Sequence, residues 1–325
     1  MAFQRKKLTK QVGIKQIDVF TEEPFQGNPL LIVLYAENLS DQEKGIIVKE
    51  LNAQKGAFIF DADDGKSDFK LRVFTPEGEI DSDSHSTIGG TFIMLRKKQL
   101  KLQDSVANII TIQTREGICP LLVEMENGEI QRVLTMRTME TEPQFRMVDY
   151  DIQNVSEVFR LPSKSIRSDI IMRSVKIDEW AMMIPLKDPK LLEELVIDEP
   201  SLIKMAKENL VESICLFAID EKENGENKVV TRIFQEIEND AGEKRIIEDE
   251  ITGKSNTNIA VFLFEQKLWR QEGSKMLIKF VQKTGENREG EIVVEMDIIN
   301  EEIKEIRLGG VGIPIVDGKM IITRY

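Results

Sequence analysis

Short stretches in which apolar and polar residues alternate recur along this chain, and several pairs of them are separated by Asn-Gly or Asp-Gly. Alternation with period two marks a strand with one buried face, and an Asn-Gly or Asp-Gly step supplies the positive φ angles of a tight hairpin turn. AFIF (57–60) and FKLRVF (69–74) flank Asp64-Gly65, and PLLVEM (120–125) and EIQRVLTM (129–136) flank Asn127-Gly128. CLFAI (215–219) and VVTRIF (229–234) flank Asn224-Gly225, and GIPIV (312–316) and KMIITRY (319–325) flank Asp317-Gly318. The pattern predicts a chain rich in antiparallel strands.

Helical signals alternate with these strands. Ser40 and Glu43 form a capping-box spacing at the start of residues 39–52, which predicts a helix there. DPKLLEELV (188–196) and PSLIKMAKENL (200–210) have an amphipathic period. TIGGTFIML (87–95) and NIAVFLF (258–264) differ, because they carry no charge at all. A helix that is apolar on every side must be enclosed by protein. Each follows a polar loop, DSDSHS (81–86) or EDEITGKSNT (248–257), that itself follows a strand. The two halves thus share one plan, and an α+β fold of two similar domains is expected. Each domain would combine mostly antiparallel strands with a buried central helix. The division is drawn near 120, giving 1–120 and 121–325, with the last strand free to return to the first domain. Backbone N–H groups at helix starts bind anions, so the starts near 86–88 and 253–256 are candidate holders of a substrate carboxylate.

Composition narrows the function. A length of 325 residues suits two domains. The net charge of −13 argues against nucleic acid and against an anionic membrane surface as partners. The basic segment RKKLTK (5–10) has no apolar stretch behind it, and no apolar run is long enough for a membrane span. A cytoplasmic location is therefore expected. Cys119 and Cys215 sit in apolar contexts and fit no metal spacing, so two buried free thiols are expected, with no metal site. DADDGKSD (61–68) lacks the glutamate of a calcium loop and reads as a turn. No glycine-rich nucleotide loop is present, and no cofactor is expected.

The single histidine, His85, lies in GEIDSDSHSTIGG (78–90). Taken alone it is either a helix-capping residue or a proton-transfer group whose flanking acids raise its pKa. Five segments in order decide between these: IDVFTEEPFQGNPLLIVL (17–34), 39–52, LRVFTPEGEIDSDSHSTIGG (71–90), TREGICPLLVE (114–124) and EDEITGKSNTNIAVFL (248–263). Together with the closing GGVGIPIVDGKM (309–320), they resemble the phenazine-biosynthesis isomerase family (PhzF-like proteins), which has the diaminopimelate epimerase-like fold.

The resemblance implies two similar domains, each a curved, mostly antiparallel sheet wrapped around a buried central helix, with a cofactor-free site between them, proton-shift chemistry beside a carboxylate or carbonyl, and a homodimer. It also exposes departures. The family's catalytic glutamate lies in a loop like E-L-N-x-S-E-T-A-F, and ELNAQKGAF (50–58) places Lys55 there. D-x-C-G-H-A-T reads DSDSHST, which keeps His85 but places Asp83 and Ser84 before it, with Ser86 and Thr87 after it. D-P-x-T-G-S reads DEITGK, which keeps Asp249, Thr252 and Gly253 but has Glu250 and Lys254. Asn28 of QGNP (26–29) is a turn residue or a ligand contact.

His85 and Asp249 are thus the retained polar pair. Asp83 and Glu250 fall where related epimerases carry two catalytic cysteines, and are either two bases or two surface acids. Lys55 is open to three roles: a base if desolvated, a holder of a carboxylate or partner of Asp249, or a solvent-facing residue with catalysis lost. The expected function is a cofactor-independent isomerase or epimerase acting beside the carboxylate of a small metabolite. The rival is a catalytically impaired relative that binds small anions or serves as a scaffold.

Overall fold

A computed structural model describes residues 8–97, 100, 102–103, 107–222, 227–238, 244–285 and 287–324. The chain divides into two compact units, Met1–Met136 with Gly309–Tyr325, and Arg137–Leu308. A boundary near 120 would cut through a strand that spans Ile118–Glu126. That strand and its hairpin partner stay together, which moves the division past 136.

In the first unit β1 (Leu8–Val19), β2 (Asn28–Leu34), β3 (Gly56–Phe60), β4 (Phe69–Thr75), β5 (Gly78–Ile80), β6 (Ala107–Gln113), β7 (Ile118–Glu126) and β8 (Glu129–Thr138) join the chain's last strand, β18 (Gly312–Arg324). They pair in the order β18–β1–β2–β3–β4–β6–β7–β8, parallel at β2–β3 and β4–β6 and antiparallel elsewhere, with β5 folded back on β4. The helices are α1 (Asp41–Glu50) and α2 (Ser84–Arg96). The capping box at the start of α1 is formed as expected, Ser40 with Glu43.

The second unit contains β9 (Gln144–Met147), β10 (Arg173–Lys176), β11 (Trp180–Pro185), β12 (Ser213–Asp220), β13 (Lys228–Glu238), β14 (Lys244–Glu248), β15 (Lys275–Lys283), β16 (Glu289–Ile299) and β17 (Glu302–Gly310). Its helices are α3 (Ile152–Val158), α4 (Glu199–Asn209) and α5 (Gly253–Glu265). The pairing runs β9–β10–β11–β12–β13–β15–β16, parallel at β11–β12 and β13–β15, with β14 folded back on β13. From β1 to β7 and from β10 to β16 the same sequence of parallel and antiparallel steps repeats. In both units one helix follows the second strand of that series and another follows the short folded-back strand.

Those second helices, α2 and α5, contain the two uncharged stretches, 87–95 and 258–264. From His85 to Ile93 every residue of α2 is buried, and it packs on β1, β2, β3, β4 and β18. α5 packs on β10, β11, β12 and β16. Gly89 lets α2 approach closely: a Cβ there would lie 2.6 Å from Leu30 and 2.9 Å from Val19. No helix among the described residues is long and apolar enough to cross a membrane.

Two local expectations change. Asp317-Gly318 is not a hairpin turn but the middle of β18, where both residues stay in register with β1 and Asp317 pairs with Lys15. One long partner strand holds both arms extended. Residues 188–196 form only a 3-10 turn, Pro189–Leu192, because Asp188 caps a segment too short to propagate an α-helix. Asn224-Gly225 lies outside the described residues, whereas Asn127-Gly128 makes the expected tight turn with φ 53° and 79°.

α4 ends on Leu210, which is left-handed (φ 49°, ψ 50°) and 70% exposed. A left-handed non-glycine residue costs about 1–2 kcal/mol, partly offset by the freedom glycine adds to the unfolded chain. Leu210→Gly is therefore expected to stabilise the protein by about 0.5–1 kcal/mol, read as a higher urea midpoint. An unchanged or lower midpoint would contradict this account of the cap.

Candidate functional site

The start of α2 concentrates the charge that the helix itself lacks. Asp83 is extended (φ −126°, ψ 172°) and caps the helix. One carboxylate oxygen accepts the backbone N–H of Ser86 at 2.8 Å, and the Ser86 hydroxyl accepts the backbone N–H of Asp83 at 3.1 Å. The Thr87 hydroxyl donates to the Asp83 carbonyl at 2.9 Å. The other Asp83 oxygen forms an ion pair with Lys55, which enters from the loop ahead of β3. Lys55 is 21% and Asp83 44% exposed in their side chains, so the pair stands at the edge of the fold. Burial opposes the Asp83 charge. The Lys55 ammonium and the hydrogen bonds from Lys55 and Ser86 outweigh it and hold the carboxyl well below the usual range.

His85 is buried beside this pair, stacked on Phe20 at 6.4 Å between ring centres. Its Nε2 lies 3.1 Å from the backbone carbonyl of Asn28. A carbonyl only accepts, so Nε2 carries the proton and Nδ1 keeps its lone pair. Nδ1 is buried and has no hydrogen-bond partner among the described residues. Gly27 makes this possible: at φ +63° it turns the chain so tightly that a Cβ would lie 2.2 Å from the Val19 carbonyl, which sets the Asn28 carbonyl in place. The expectation that flanking acids raise the pKa of His85 is overturned. Burial, then the Lys55 charge, push it from 6.5 down to about 4, against the smaller upward pull of Asp83 and of the Asn28 carbonyl.

The corresponding loop of the second unit is held differently. Thr252 precedes α5 and makes no side-chain cap bond. Its backbone N–H donates to Gln282 Oε1 at 3.0 Å, and Gln282 Nε2 donates to the Glu250 carbonyl at 2.8 Å. Asn256 Nδ2 donates to the Thr252 carbonyl at 2.7 Å and to Gln282 Oε1 at 2.8 Å, while the Thr231 hydroxyl donates to Asn256 Oδ1 at 3.1 Å. Thr231, Asn256 and Gln282 are all fully buried. The Asp249 N–H donates to the Ile233 carbonyl at 2.8 Å. Burial holds the Cys215 thiol up at about 12, with the charge of Asp249 adding to it.

The sequence-derived residues therefore fall into two groups. Asn28, Lys55, Asp83, Ser84, His85, Ser86 and Thr87 come together around the start of α2, and Asp249, Glu250, Thr252, Gly253 and Lys254 around the start of α5. Two roles need revision. At the α2 start, Asp83 already occupies the Ser86 N–H expected to serve an external carboxylate. Lys254 points its charge at Glu179, so it is a weaker anion holder than expected. Cys119 is half-buried rather than buried, and both thiols are free. Among the described residues no cluster of His, Cys, Asp and Glu is placed to hold a metal ion. The amide network was missed: Asn256 lies in the polar stretch GKSNTN (253–258) and Gln282 lies directly before Lys283, so neither context marks a buried amide.

The family described as phenazine biosynthesis-like protein (PhzC-PhzF) matches residues 17–318. An uncharacterized isomerase of Clostridium acetobutylicum is 26% identical over 319 residues, 97% of this chain and 100% of that protein. The uncharacterized isomerase YddE of Escherichia coli K12 is 26% identical over 305 residues, 92% of this chain and 95% of YddE. Among solved structures, a phenazine biosynthesis protein of the PhzF family from Bacillus anthracis is similar with TM-score 0.78 at 22% identity, covering 96% of this chain and 100% of that one. A hydroxyproline epimerase from Agrobacterium vitis, with bound trans-4-OH-L-proline, is similar with TM-score 0.54 at 11% identity over 99% of this chain and 94% of that one. At such identities these structures establish the epimerase-like α+β fold.

The His85 assignment has a direct test. The unfolded chain takes up a proton below pH 6.5, while the folded imidazole stays neutral down to about 4. Stability is thus complete above 6.5 and falls as pH drops through that window, by about 3 kcal/mol in all. Urea unfolding from pH 7 to 4 is expected to show this slope in the native protein and not in His85→Gln, whose amide can still donate to the Asn28 carbonyl. NMR of the single imidazole should show the Nε2–H tautomer throughout; protonation near 6.5 would refute the assignment. Gln282→Leu strands three polar groups at the second loop and is expected to lower stability by about 2–4 kcal/mol.

Proposed function

For a chain that belongs to the phenazine biosynthesis-like protein family, we propose an isomerase that moves a proton at a carbon next to the carboxylate of a small acid, without a cofactor. The observation that carries this reading is the buried His85 ring, with one nitrogen fixed on a carbonyl and the other unpartnered. A purely structural histidine would be expected to use both nitrogens, because a buried unpaired polar atom costs roughly 1–3 kcal/mol. Nδ1 would take the proton from the substrate carbon, leaving the electron pair delocalised into the adjacent carboxylate. The same nitrogen would return the proton to another carbon of that conjugated system.

Lys55 supports this scheme as a cation and not as the base. Its ammonium would stabilise the negative charge that develops on the substrate oxygens. Asp83 fixes its position. A bound carboxylate would also offset the Lys55 field at His85, so the base would strengthen as the substrate arrives.

One observation favours the rival reading of a small-anion binder without catalysis: the residue standing where relatives carry glutamate is a lysine already neutralised by Asp83. Proton exchange separates the two. Incubation with small carboxylates in D₂O, followed by mass spectrometry, is expected to show deuterium entering one substrate class. His85→Ala should reduce that entry by at least about a hundredfold. If Lys55→Glu, but not the native protein, catalyses exchange, the chain is a disarmed isomerase.

A further inference from the structure

The second unit contains a cavity of about 820 Å³ that draws on neither loop described above. It lies at the other end of α5, roughly 20 Å along the helix axis from Gly253. Its apolar wall is made by Phe145, Val261, Phe264, Trp269 and Ile303. The Trp269 indole N–H donates to the Leu277 carbonyl at 2.8 Å, which holds that ring in one orientation.

Two features identify what would fill it. Other aromatic residues of the chain spend their faces on neighbours: Lys44 sits over Phe60 and Phe74, Lys97 over Tyr35, and Arg146 over Trp180. Phe145, Phe264 and Trp269 have no ring or cation partner among the described residues. The lip of the same cavity carries Glu140, Glu142, Glu265, Glu301 and Glu302 against Lys267 and Lys304. Glu265 is paired with Arg173 and Glu302 with Lys304. Glu140, Glu142 and Glu301 are exposed and take part in no ion pair among the described residues. The C-terminal end of α5, which faces the cavity through Val261 and Phe264, adds the negative end of its dipole.

Aromatic faces that are free to stack, a volume suited to a small organic molecule and an excess of negative charge at the lip are complementary to one chemistry. We propose that this cavity binds a small organic ammonium ion with an aromatic body. The body packs between Phe264 and Trp269, and the ammonium lies toward Glu140, Glu142 and Glu301. The proposal is independent of the reaction assigned to His85.

The test is calorimetric titration of the full chain with 2-phenylethylammonium. Neutral 2-phenylethanol and anionic 3-phenylpropionate serve as charge controls. One saturable site is expected at a dissociation constant of about 1 mM or tighter, with the alcohol at least about tenfold weaker and the acid showing no binding. The exposed triple variant Glu140→Gln/Glu142→Gln/Glu301→Gln should weaken the amine at least about tenfold, roughly 1.4 kcal/mol, and leave the alcohol unchanged. In NMR the indole N–H signal of Trp269, identified by its loss in Trp269→Phe, should shift on titration while that of Trp180 stays fixed. Equal binding of amine and alcohol, no saturable binding, or an amine affinity unchanged in the triple variant would each overturn the proposal. So would a dimer that the triple variant dissociates and the amine does not, since the cavity would then be filled by a second copy.

Discussion

A helix whose middle carries no charge and is closed in by its own sheet buries much of its first turn, and the N–H groups there must be satisfied by side chains or left to a ligand. Both units of this chain face that constraint, at α2 and at α5. Much of the chemistry the chain displays is a consequence of how each helix start is completed. At α2 the solution is ionic: Asp83 caps the turn and is itself held by Lys55. At α5 the solution is neutral: Gln282 and Asn256 brace the loop through amides while Thr252 leaves the cap position without a side-chain bond. Similar topology therefore produces two helix starts of different character, one capped by a paired carboxylate, the other braced by buried amides.

The ionic solution has an electrostatic consequence beyond the cap. A half-exposed Lys–Asp pair adds little to stability, about 1 kcal/mol or less. Its effect on an adjacent buried group is larger, because low local polarity weakens screening. His85 is neutral at physiological pH through burial first and through Lys55 second. Asp83 pulls the other way, but part of its charge is already answered by Lys55 and by the Ser86 N–H.

Features set by neighbours in sequence were legible from the sequence, and features set by distant partners were not. The capping box of Ser40 and Glu43, the turn at Asn127-Gly128 and the burial of the two uncharged helices depend on local period and composition. Asp317-Gly318 has the same local signature as a hairpin, yet its fate was decided by β1, some three hundred positions earlier in the chain. The division between units failed for a related reason, since the hairpin of β7 and β8 is one piece that a line near 120 would split. Around the site, residue types and positions were readable, but charge states were not. The burial of the His85 ring and the nearness of Lys55 are tertiary facts, and together they reverse the direction expected for His85 from its flanking acids alone.

The arrangement also explains why a lysine can be tolerated where relatives of this family carry a glutamate. An isolated lysine beside a buried histidine would disfavour any positive charge on the imidazole and would itself lack a partner. Asp83 removes the second problem by supplying a carboxylate from the helix start, where the dipole of α2 already favours negative charge. In this chain the negative group at this edge of the fold stands at the cap of α2 and the positive group in the loop before β3. With the charges arranged in this order, His85 gains basicity only when another anion approaches Lys55. A site built this way responds to the charge of its ligand before it responds to the ligand's shape.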